Sequence, residues 1–160
     1  MNIFLLDTLP TLRAQYSFDC HMHWLAKEIA QLLANARLTH GLPAPYKLAQ
    51  PHHPLSKWVS SSKAAYRFAL THGTALLGEY EHRKGYRSIR MDEVFAQLTD
   101  VPDLPDEPLG LHPVCRLNQP IVYATLEEAV VLYREYYQTK VGLKDATYTN
   151  RARPEWLKVF

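Results

Sequence analysis

The segment DCHMHWLAKEIAQLL, residues 19–33, decides the fold of this chain. Its apolar residues recur at intervals of three and four, the spacing that places side chains on one side of an α-helix. The resulting stripe contains Met22, Leu25, Ile29, Leu32, Leu33 and Ala36. The segment therefore predicts an amphipathic helix over about residues 18–38, which packs through this stripe and ends before Gly41.

A second line of side chains on the same helix carries the ionisable groups. His21 and Glu28 are seven residues apart, which is nearly two full turns, so both project from almost the same line. Trp24, Gln31 and Asn35 fall close to that line. An imidazole and a carboxylate so placed could form an acid/base pair, or the histidine could orient the carboxylate. The alternative is a pair of half-exposed helix residues without a function, and the spacing alone leaves both interpretations open.

Three further helices are predicted downstream. Residues 56–84 indicate one long helix that ends at Gly85, and the small residues in its middle, around Gly73, favour a close helix crossing. Ser88 is expected to cap a short helix. Thr125-Leu-Glu-Glu128 has the pattern of a capping box and predicts a helix through about residue 140. The inward residues expected on this last helix are Ala129, Leu132, Tyr133 and Tyr136.

The remaining segments favour loops. Prolines recur through residues 41–54 and 101–120, which predicts two long ordered loops. Residues 2–6 form a short apolar run that is either a strand or an anchored arm. The predicted fold class is therefore mainly α: residues 1–160 form a compact single-domain bundle of three major helices with long Pro-rich loops.

Composition excludes several classes of protein. The 160 residues carry a formal net charge of only +2 and are 47% hydrophobic, as expected for one globular domain. The N-terminus lacks the pattern of a signal peptide, no stretch approaches the length of a membrane span, and two cysteines form no disulfide framework. We therefore expect a cytoplasmic protein without a membrane partner. No glycine-rich phosphate loop is present, which argues against nucleotide-dependent kinases and dinucleotide enzymes.

Histidines and cysteines raise the question of a zinc site. The candidate ligands are Cys20, His21, His23, His52, His53, His112 and Cys115. Cys20 and His21 are adjacent on a helix and point about 100° apart, and no paired C-x-x-C or helical H-x-x-x-H motif occurs. A core thiol and loop histidines are the favoured interpretation, so we predict no metal. A Cys20–His23 nucleophile lacks any orienting motif.

Basic and aromatic residues are unevenly distributed. Residues 82–90 and 151–158 are rich in arginine and lysine, whereas acidic residues concentrate at 92–107 and 127–135. Aromatic side chains that alternate with cations could stack on bases and hold phosphates. The alternative is an ordinary solvated surface over core aromatics.

Several motifs together resemble a family of small proteins common in bacteriophage genomes. They are MNIFLLD at residues 1–7, Asp19-x-His21, Glu28-x-Ala30-Gln31-Leu32-Leu33, His53-Pro54-x-x-x-Trp58, Glu79-Tyr80-x-x-Arg83-x-Gly85 and Arg153-Pro154-Glu155-Trp156. This phage family is in turn distantly similar to the phage pyrimidine-dimer DNA glycosylases of the endonuclease V type. The pattern spans nearly the whole chain, although each motif alone is weak.

The resemblance implies a fold that grips duplex DNA and can extrude a base. Glu28 matches the catalytic glutamate, His21 the helix histidine and Lys27 a basic residue that contacts DNA, while Gln31 stands where the glycosylases carry an arginine. Trp24, Asp19, His53, Arg83 and Arg153 are the further candidates for substrate or DNA binding. One departure concerns the nucleophile: the glycosylases use the free amine of an N-terminal threonine, whereas residue 2 here is Asn and follows Met1.

The phage family includes amino acid:DNA transferases that hypermodify thymine. The resemblance therefore implies a DNA base-modifying enzyme that joins an amino acid or amine to an activated 5-hydroxymethyluracil in duplex DNA, in a phage-infected bacterial host. Glu28 would deprotonate the incoming ammonium and His21 would orient Glu28 or protonate the leaving group. No cofactor is expected, and the protein should act as a monomer. The alternatives are a repair glycosylase/endonuclease and a non-catalytic DNA-binding accessory protein.

Overall fold

The computed structural model describes residues 1–115, 125–142 and 145–158. These residues form six α-helices and no β-strand, which confirms the mainly α class. The helices are α1 (Pro10–Gln15), α2 (Asp19–Thr39), α3 (Pro54–Val59), α4 (Lys63–Lys84), α5 (Ile89–Ala96) and α6 (Leu126–Gln138).

Helix α2 lies at the centre of the core, as its sequence predicts. The six residues of its apolar stripe are all buried, and α2 packs mainly against α4. The helix ends at Thr39 with His40 as its C-cap, and Gly41 follows with a φ of +73°, a left-handed conformation that favours glycine. The prediction for residues 18–38 is confirmed to within one residue at each end.

Gly73 allows three helices to meet. A methyl group at this position of α4 would overlap the ring of Phe95 on α5 and would lie 3.1 Å from Cγ2 of Ile29 on α2. The close crossing expected from the small residues of α4 is therefore present.

The prediction of a single long helix over residues 56–84 is wrong for the first part of that range. The chain forms two helices, α3 and α4, which are separated by Ser60, Ser61 and Ser62. The hydroxyl of Ser62 accepts a hydrogen bond from the backbone N–H of Ala65 at 3.1 Å and caps α4. Serine side chains compete with helical hydrogen bonds in this way. Gly85, with a φ of +77°, ends α4 as predicted.

Both shorter C-terminal helices are present, with local differences from expectation. Helix α5 begins after Ser88, but the Ser88 side chain makes no capping bond. Helix α6 opens with the complete Thr125–Glu128 capping box. Its inward face was misjudged in part, because the buried residues are Ala129, Val130, Tyr133 and Tyr137, whereas Leu132 and Tyr136 are only half-buried.

The N-terminal residues form an anchored arm. Residues 3–6 are buried in backbone that is neither helix nor strand. Nε of Arg134 on α6 donates to the Leu6 carbonyl at 2.8 Å, and Nη2 of Arg134 lies 2.9 Å from Asp7 Oδ2. Phe4 packs edge-on against Tyr137, with ring centroids 5.2 Å apart. The arm therefore connects α6 to the rest of the core.

The Pro-rich loops pack on the helices. The indole N–H of Trp58 donates to the Gly110 carbonyl at 3.1 Å, so the described part of the 101–120 loop covers α3. Residues 116–120 of that predicted loop lie outside the described residues. None of the described helices combines the length and apolarity that crossing a bilayer requires.

Arg83 is the centre of a buried ion-pair network. It is only 2% exposed, and it donates to Asp19 Oδ1 and Glu79 Oε1 at 2.7 Å each. Two further bonds reach the carbonyls of Gln15 and Ser17. Burial alone would raise the pKa of Glu79, but hydrogen bonds from Arg151 and Arg83 outweigh it and hold that pKa below its ordinary value. The network ties α2, α4 and the C-terminal tail together.

Two histidines lie in the core beside a buried arginine. His72 and His112 are fully buried, and neither ring forms a hydrogen bond to a described residue. Burial, with the nearby Arg13 charge, lowers the pKa of His112 to about 3, and burial first and Arg13 second hold the pKa of His72 well below its ordinary value. Both imidazoles are therefore neutral in the folded protein at neutral pH.

We expect this pair to make the fold sensitive to mild acid. In the unfolded chain both histidines bind protons below about pH 6.5, whereas the folded protein excludes those protons until a much lower pH. The free energy of unfolding should therefore fall as the pH drops below about 6.5, with a limiting slope of about 1.4 kcal/mol per pH unit for each imidazole. Urea unfolding between pH 7.5 and 5.0 measures this slope. His72→Leu should flatten it and the exposed His52→Gln should not; equal stability of the native protein at both pH values would contradict the prediction.

Candidate functional site

A cavity of about 350 Å³ opens where the N-terminal arm, α2 and α6 meet. Its volume lies within the range of small-ligand sites, roughly 300–1,000 Å³. We call it the Glu28 cavity; its lining includes Asn2, His21, Trp24, Glu28, Tyr136 and Lys140. The structure thus brings His21, Trp24 and Glu28 together at one cavity, as their spacing on the helix predicts.

Glu28 is held by the N-terminal arm. Its Oε2 accepts a hydrogen bond from the backbone N–H of Asn2 at 2.8 Å. The Asn2 side chain is fixed in turn, because its Oδ1 accepts from the Tyr133 hydroxyl and its Nδ2 donates to the Cys115 carbonyl, both at 3.2 Å. No described residue hydrogen-bonds to the second carboxylate oxygen of Glu28. One oxygen is therefore positioned by the protein while the other can receive a proton from a ligand.

His21 is oriented by a buried tyrosine. Its Nδ1 lies 2.7 Å from the Tyr137 hydroxyl, which also accepts a hydrogen bond from the backbone N–H of Phe18 at 2.8 Å. Burial raises the pKa of Tyr137 well above its ordinary value, so the phenol keeps its proton. The two groups share one hydrogen bond, whose direction depends on the tautomer of His21.

Lys140 and an exposed indole lie at the edge of the cavity. Nζ of Lys140 lies 4.6 Å from the ring centre of Tyr136 and 5.4 Å from that of Phe4. Trp24 is 64% exposed, and Nζ of Lys27 lies 5.1 Å from its ring centre. The mouth of the cavity therefore offers positive charge and one large aromatic face to a ligand.

His53 lies near this site but serves as a helix cap. Its Nδ1 accepts from the backbone N–H of Leu55 at 3.2 Å at the start of α3. Burial lowers the pKa of His53, the amino group of Met1 adds to that effect, and the carboxylate of Glu28 opposes it. These influences place the imidazole within electrostatic reach of Glu28, although it does not line the cavity.

The other candidates from the sequence are not part of the Glu28 cavity. Gln31 donates to the Lys47 carbonyl at 2.8 Å and, with Lys27, lines a separate cavity. Asp19 and Arg83 belong to the buried ion-pair network. Arg153 lies in the C-terminal tail and lines a third cavity of about 600 Å³.

Sequence reasoning missed several groups that form the site. Asn2 and Lys140 are absent from the predicted set, and Tyr137 was treated only as one aromatic among many. Tyr136 and Lys140 are four residues apart in a segment that the sequence predicts as helical through about residue 140, and this spacing is a usable signal even though α6 ends at Gln138. The contact between Asn2 and Glu28 has no local signal, because it depends on how the arm crosses α2.

No metal site is evident in the part of the chain that the structure describes: no three His, Cys, Asp or Glu side chains converge there. Cys20 is exposed and donates to the Asp145 carbonyl at 3.4 Å, whereas Cys115 is half-buried elsewhere.

Comparison of the chain with protein-family models, with curated proteins and with solved structures finds no match in any of the three.

Proposed function

We propose that this protein modifies a base in DNA, joining an amino acid or another amine to an activated 5-hydroxymethyluracil in duplex DNA. The observation that carries the proposal is the Glu28 carboxylate, which is held through one oxygen in a cavity that Lys140 and an exposed indole also line. The classes of donor and acceptor come from the resemblance to amino acid:DNA transferases. A fold similar to the pyrimidine-dimer glycosylases is part of the same proposal.

The reaction requires one proton transfer and one displacement. Glu28 takes a proton from the donor ammonium, R–NH₃⁺, and leaves a neutral amine. The amine nitrogen forms a bond to the methylene carbon of 5-pyrophosphoryloxymethyluracil as the bond from that carbon to oxygen breaks. Pyrophosphate departs with the bonding electrons, and the product is a secondary ammonium that keeps its charge.

A cation and a histidine suit the leaving group. Lys140 supplies positive charge at the mouth of the cavity, where a departing pyrophosphate gains negative charge. His21 lines the same cavity, and we assign it the donation of a hydrogen bond to an oxygen of that group. The carboxylate and the cation thus have separate tasks within one cavity.

Trp24 suits a target base that has left the duplex. Chemistry on a pyrimidine substituent requires that an enzyme reach it, and enzymes of this kind extrude the nucleotide. An indole that is 64% exposed beside Glu28 offers a face on which a base can stack.

Tyr137→Phe should lower activity through His21. The variant removes the hydroxyl that orients Nδ1 of His21 and leaves the Phe18 amide without its acceptor, which costs about 1–3 kcal/mol of stability. We expect the turnover number to fall about tenfold, because His21 loses the hydroxyl that orients its ring. Tyr66→Phe is the matched control, because it removes a buried hydroxyl that donates to the Leu98 carbonyl at 2.8 Å and does not line the Glu28 cavity. A Tyr137→Phe variant as active as Tyr66→Phe would contradict the role assigned to Tyr137.

Nucleoside mass spectrometry tests the proposed function. Duplex DNA that carries 5-pyrophosphoryloxymethyluracil is incubated with the protein and a pool of amino acids and polyamines, then digested and analysed. We expect a mass gain on the pyrimidine, and the gain identifies the donor. Unchanged nucleosides would reject transfer to this substrate.

The contact between Asn2 and Glu28 supports a second candidate, a DNA glycosylase. The backbone nitrogen of residue 2 lies 2.8 Å from the candidate catalytic carboxylate, and the glycosylases of the resembled family use the free amine of an N-terminal threonine as their nucleophile. In a chain that carries Met1 this nitrogen belongs to a peptide bond and is not nucleophilic. Release of a base from damaged DNA, with a borohydride-trapped covalent adduct at the N-terminus, would favour the glycosylase over the transferase.

A further inference from the structure

A second cavity lies beside the first, on the neighbouring face of α2. It has a volume of about 430 Å³ and is formed by α2, the 41–54 loop and the start of α5. We call it the basic cavity; its lining includes His23, Lys27, Gln31, Tyr46, Ser88 and Arg90. Trp24 separates the two cavities, because it lines the Glu28 cavity while its ring lies against Lys27 and His23.

The charge of the basic cavity is positive and uncompensated. Lys27 and Arg90 are exposed, and no described carboxylate forms an ion pair with either. Burial lowers the pKa of His23, and the Lys27 charge adds to that effect. None of its described lining residues is acidic. Arg87 offers a contrast, because it lies nearby in sequence but pairs with Asp92 at 2.9 Å and with Glu81 at 3.7 Å.

The basic cavity also contains neutral hydrogen-bond donors. The Ser88 hydroxyl is at its edge and does not cap α5, which leaves it able to donate to a ligand. Burial raises the pKa of Tyr46 while the charge of Arg90 opposes that effect, so the Tyr46 phenol keeps its proton and lies within electrostatic reach of Arg90. The Tyr46 hydroxyl donates to Met91 Sδ at 3.9 Å, and sulfur is a weak acceptor that a phosphate oxygen could replace. Two cations and two hydroxyls that line one cavity suit an oxyanion such as a phosphate.

A row of aromatic rings continues from the basic cavity across the surface. The ring centres of Trp24 and His23 are 6.5 Å apart, those of His23 and Tyr80 are 6.0 Å apart, and those of Tyr80 and Tyr86 are 5.7 Å apart. Rings beside a phosphate site suit the sugars and bases of a nucleic acid strand better than a free anion.

We propose that the basic cavity binds a backbone phosphate of DNA, next to the nucleotide that enters the Glu28 cavity. Lys27 and Arg90 hold the phosphate oxygens, and Trp24 marks the boundary between the phosphate and the target base. The choice of DNA as the partner rests on the proposed function. The positive charge of the cavity is an independent observation. A single phosphate held here would fix the register of the strand relative to Glu28.

Binding measurements with substituted cations test this inference independently of turnover. The affinity of the protein for a fluorescent duplex is measured by anisotropy at several salt concentrations. Arg90→Gln and Lys27→Gln should each weaken binding about tenfold, and each should reduce the slope of log K against log salt by about 0.9. Arg87→Gln removes the same charge three residues away, from a side chain already paired, and should leave affinity and slope close to those of the native protein. Thermal unfolding of all three variants checks that the fold is intact.

The possible outcomes distinguish a failure of the phosphate site from a failure of the proposed amine transfer. If Arg90→Gln behaves like Arg87→Gln, the basic cavity does not hold a DNA phosphate, whatever the activity assay shows. If inorganic phosphate binds in an Arg90-dependent way while duplex affinity is unchanged in Arg90→Gln, the site takes a free anion and the assignment to the DNA backbone is wrong. Arg90-dependent duplex binding by a protein that transfers no amine would support the basic cavity and reject the proposed reaction.

Discussion

Replacing Glu28 by Gln is expected to abolish amine transfer while the fold stays intact. A glutamine amide cannot take the proton of the donor ammonium, so the amine remains protonated and cannot attack. The amide oxygen can still accept the hydrogen bond from the Asn2 backbone, which preserves the arm. Loss of a general base lowers rates by about 10²–10⁴-fold. Single-turnover nucleoside mass spectrometry measures the rate of transfer for the native protein and for Glu28→Gln.

The matched control for this substitution is Glu93→Gln. Glu93 is an exposed carboxylate on α5 that lines neither cavity, and its neutralisation should leave the rate unchanged. Thermal unfolding of Glu28→Gln should follow that of the native protein. Full turnover by Glu28→Gln would show that the Glu28 cavity is not the active site.

Arg83→Met is expected to be the most destabilising substitution of a charged residue. Removal of the guanidinium leaves Asp19 and Glu79 without their shared partner and leaves the carbonyls of Gln15 and Ser17 without a donor. Breaking a buried pair in this way costs about 3–5 kcal/mol, a large part of the 5–15 kcal/mol that stabilises a typical domain. Urea unfolding monitored by circular dichroism measures the loss.

Arg87→Met is the control for this effect. Arg87 also pairs with carboxylates, but it lies at the surface, where such pairs contribute little. A midpoint for Arg83→Met equal to that of Arg87→Met would contradict the structural role of the buried network. Because the network anchors the start of α2, Arg83→Met should also reduce activity in proportion to the unfolded fraction.

Local patterns predicted the major helices well. The apolar spacing of α2, the Gly85 signal after α4 and the capping box of α6 are short-range features, and each appears in the structure as predicted. The break between α3 and α4 was missed because apolar spacing continues through it. The serines at residues 60–62 end one helix and cap the next, and hydrogen bonding rather than spacing decides their conformation.

The site was predictable only where it lies on one helix. The line that joins His21 and Glu28 follows from helical geometry, and the structure places both side chains at one cavity. The contribution of Asn2, 26 positions before Glu28, depends on the path of the arm, which no local pattern encodes. Lys140 joins the same cavity through the packing of α6.

Arg83 shows the limit of motif-based assignment. As part of a basic cluster it was a candidate for DNA binding, and it remains untested in that role. The structure places it in the interior, where three elements converge on its guanidinium. The free cations of the same region are those that lack a carboxylate neighbour, and Arg90 is the clearest example. Arg83 forms ion pairs with carboxylates, whereas Arg90 forms none with a described carboxylate, and the sequence alone does not show this difference.

Photo-cross-linking with 5-iodouracil tests most directly whether the Glu28 cavity receives a pyrimidine. A duplex with 5-iodouracil at the target position is irradiated in complex with the protein, and the cross-linked peptide is identified by mass spectrometry. We expect the base to attach to Trp24 or Tyr136, two of the aromatic side chains that line the Glu28 cavity, and the yield to fall in Trp24→Ala. Attachment only to the C-terminal tail at residues 145–158, with the same yield in Trp24→Ala, would contradict the assignment of this cavity as the site of base modification.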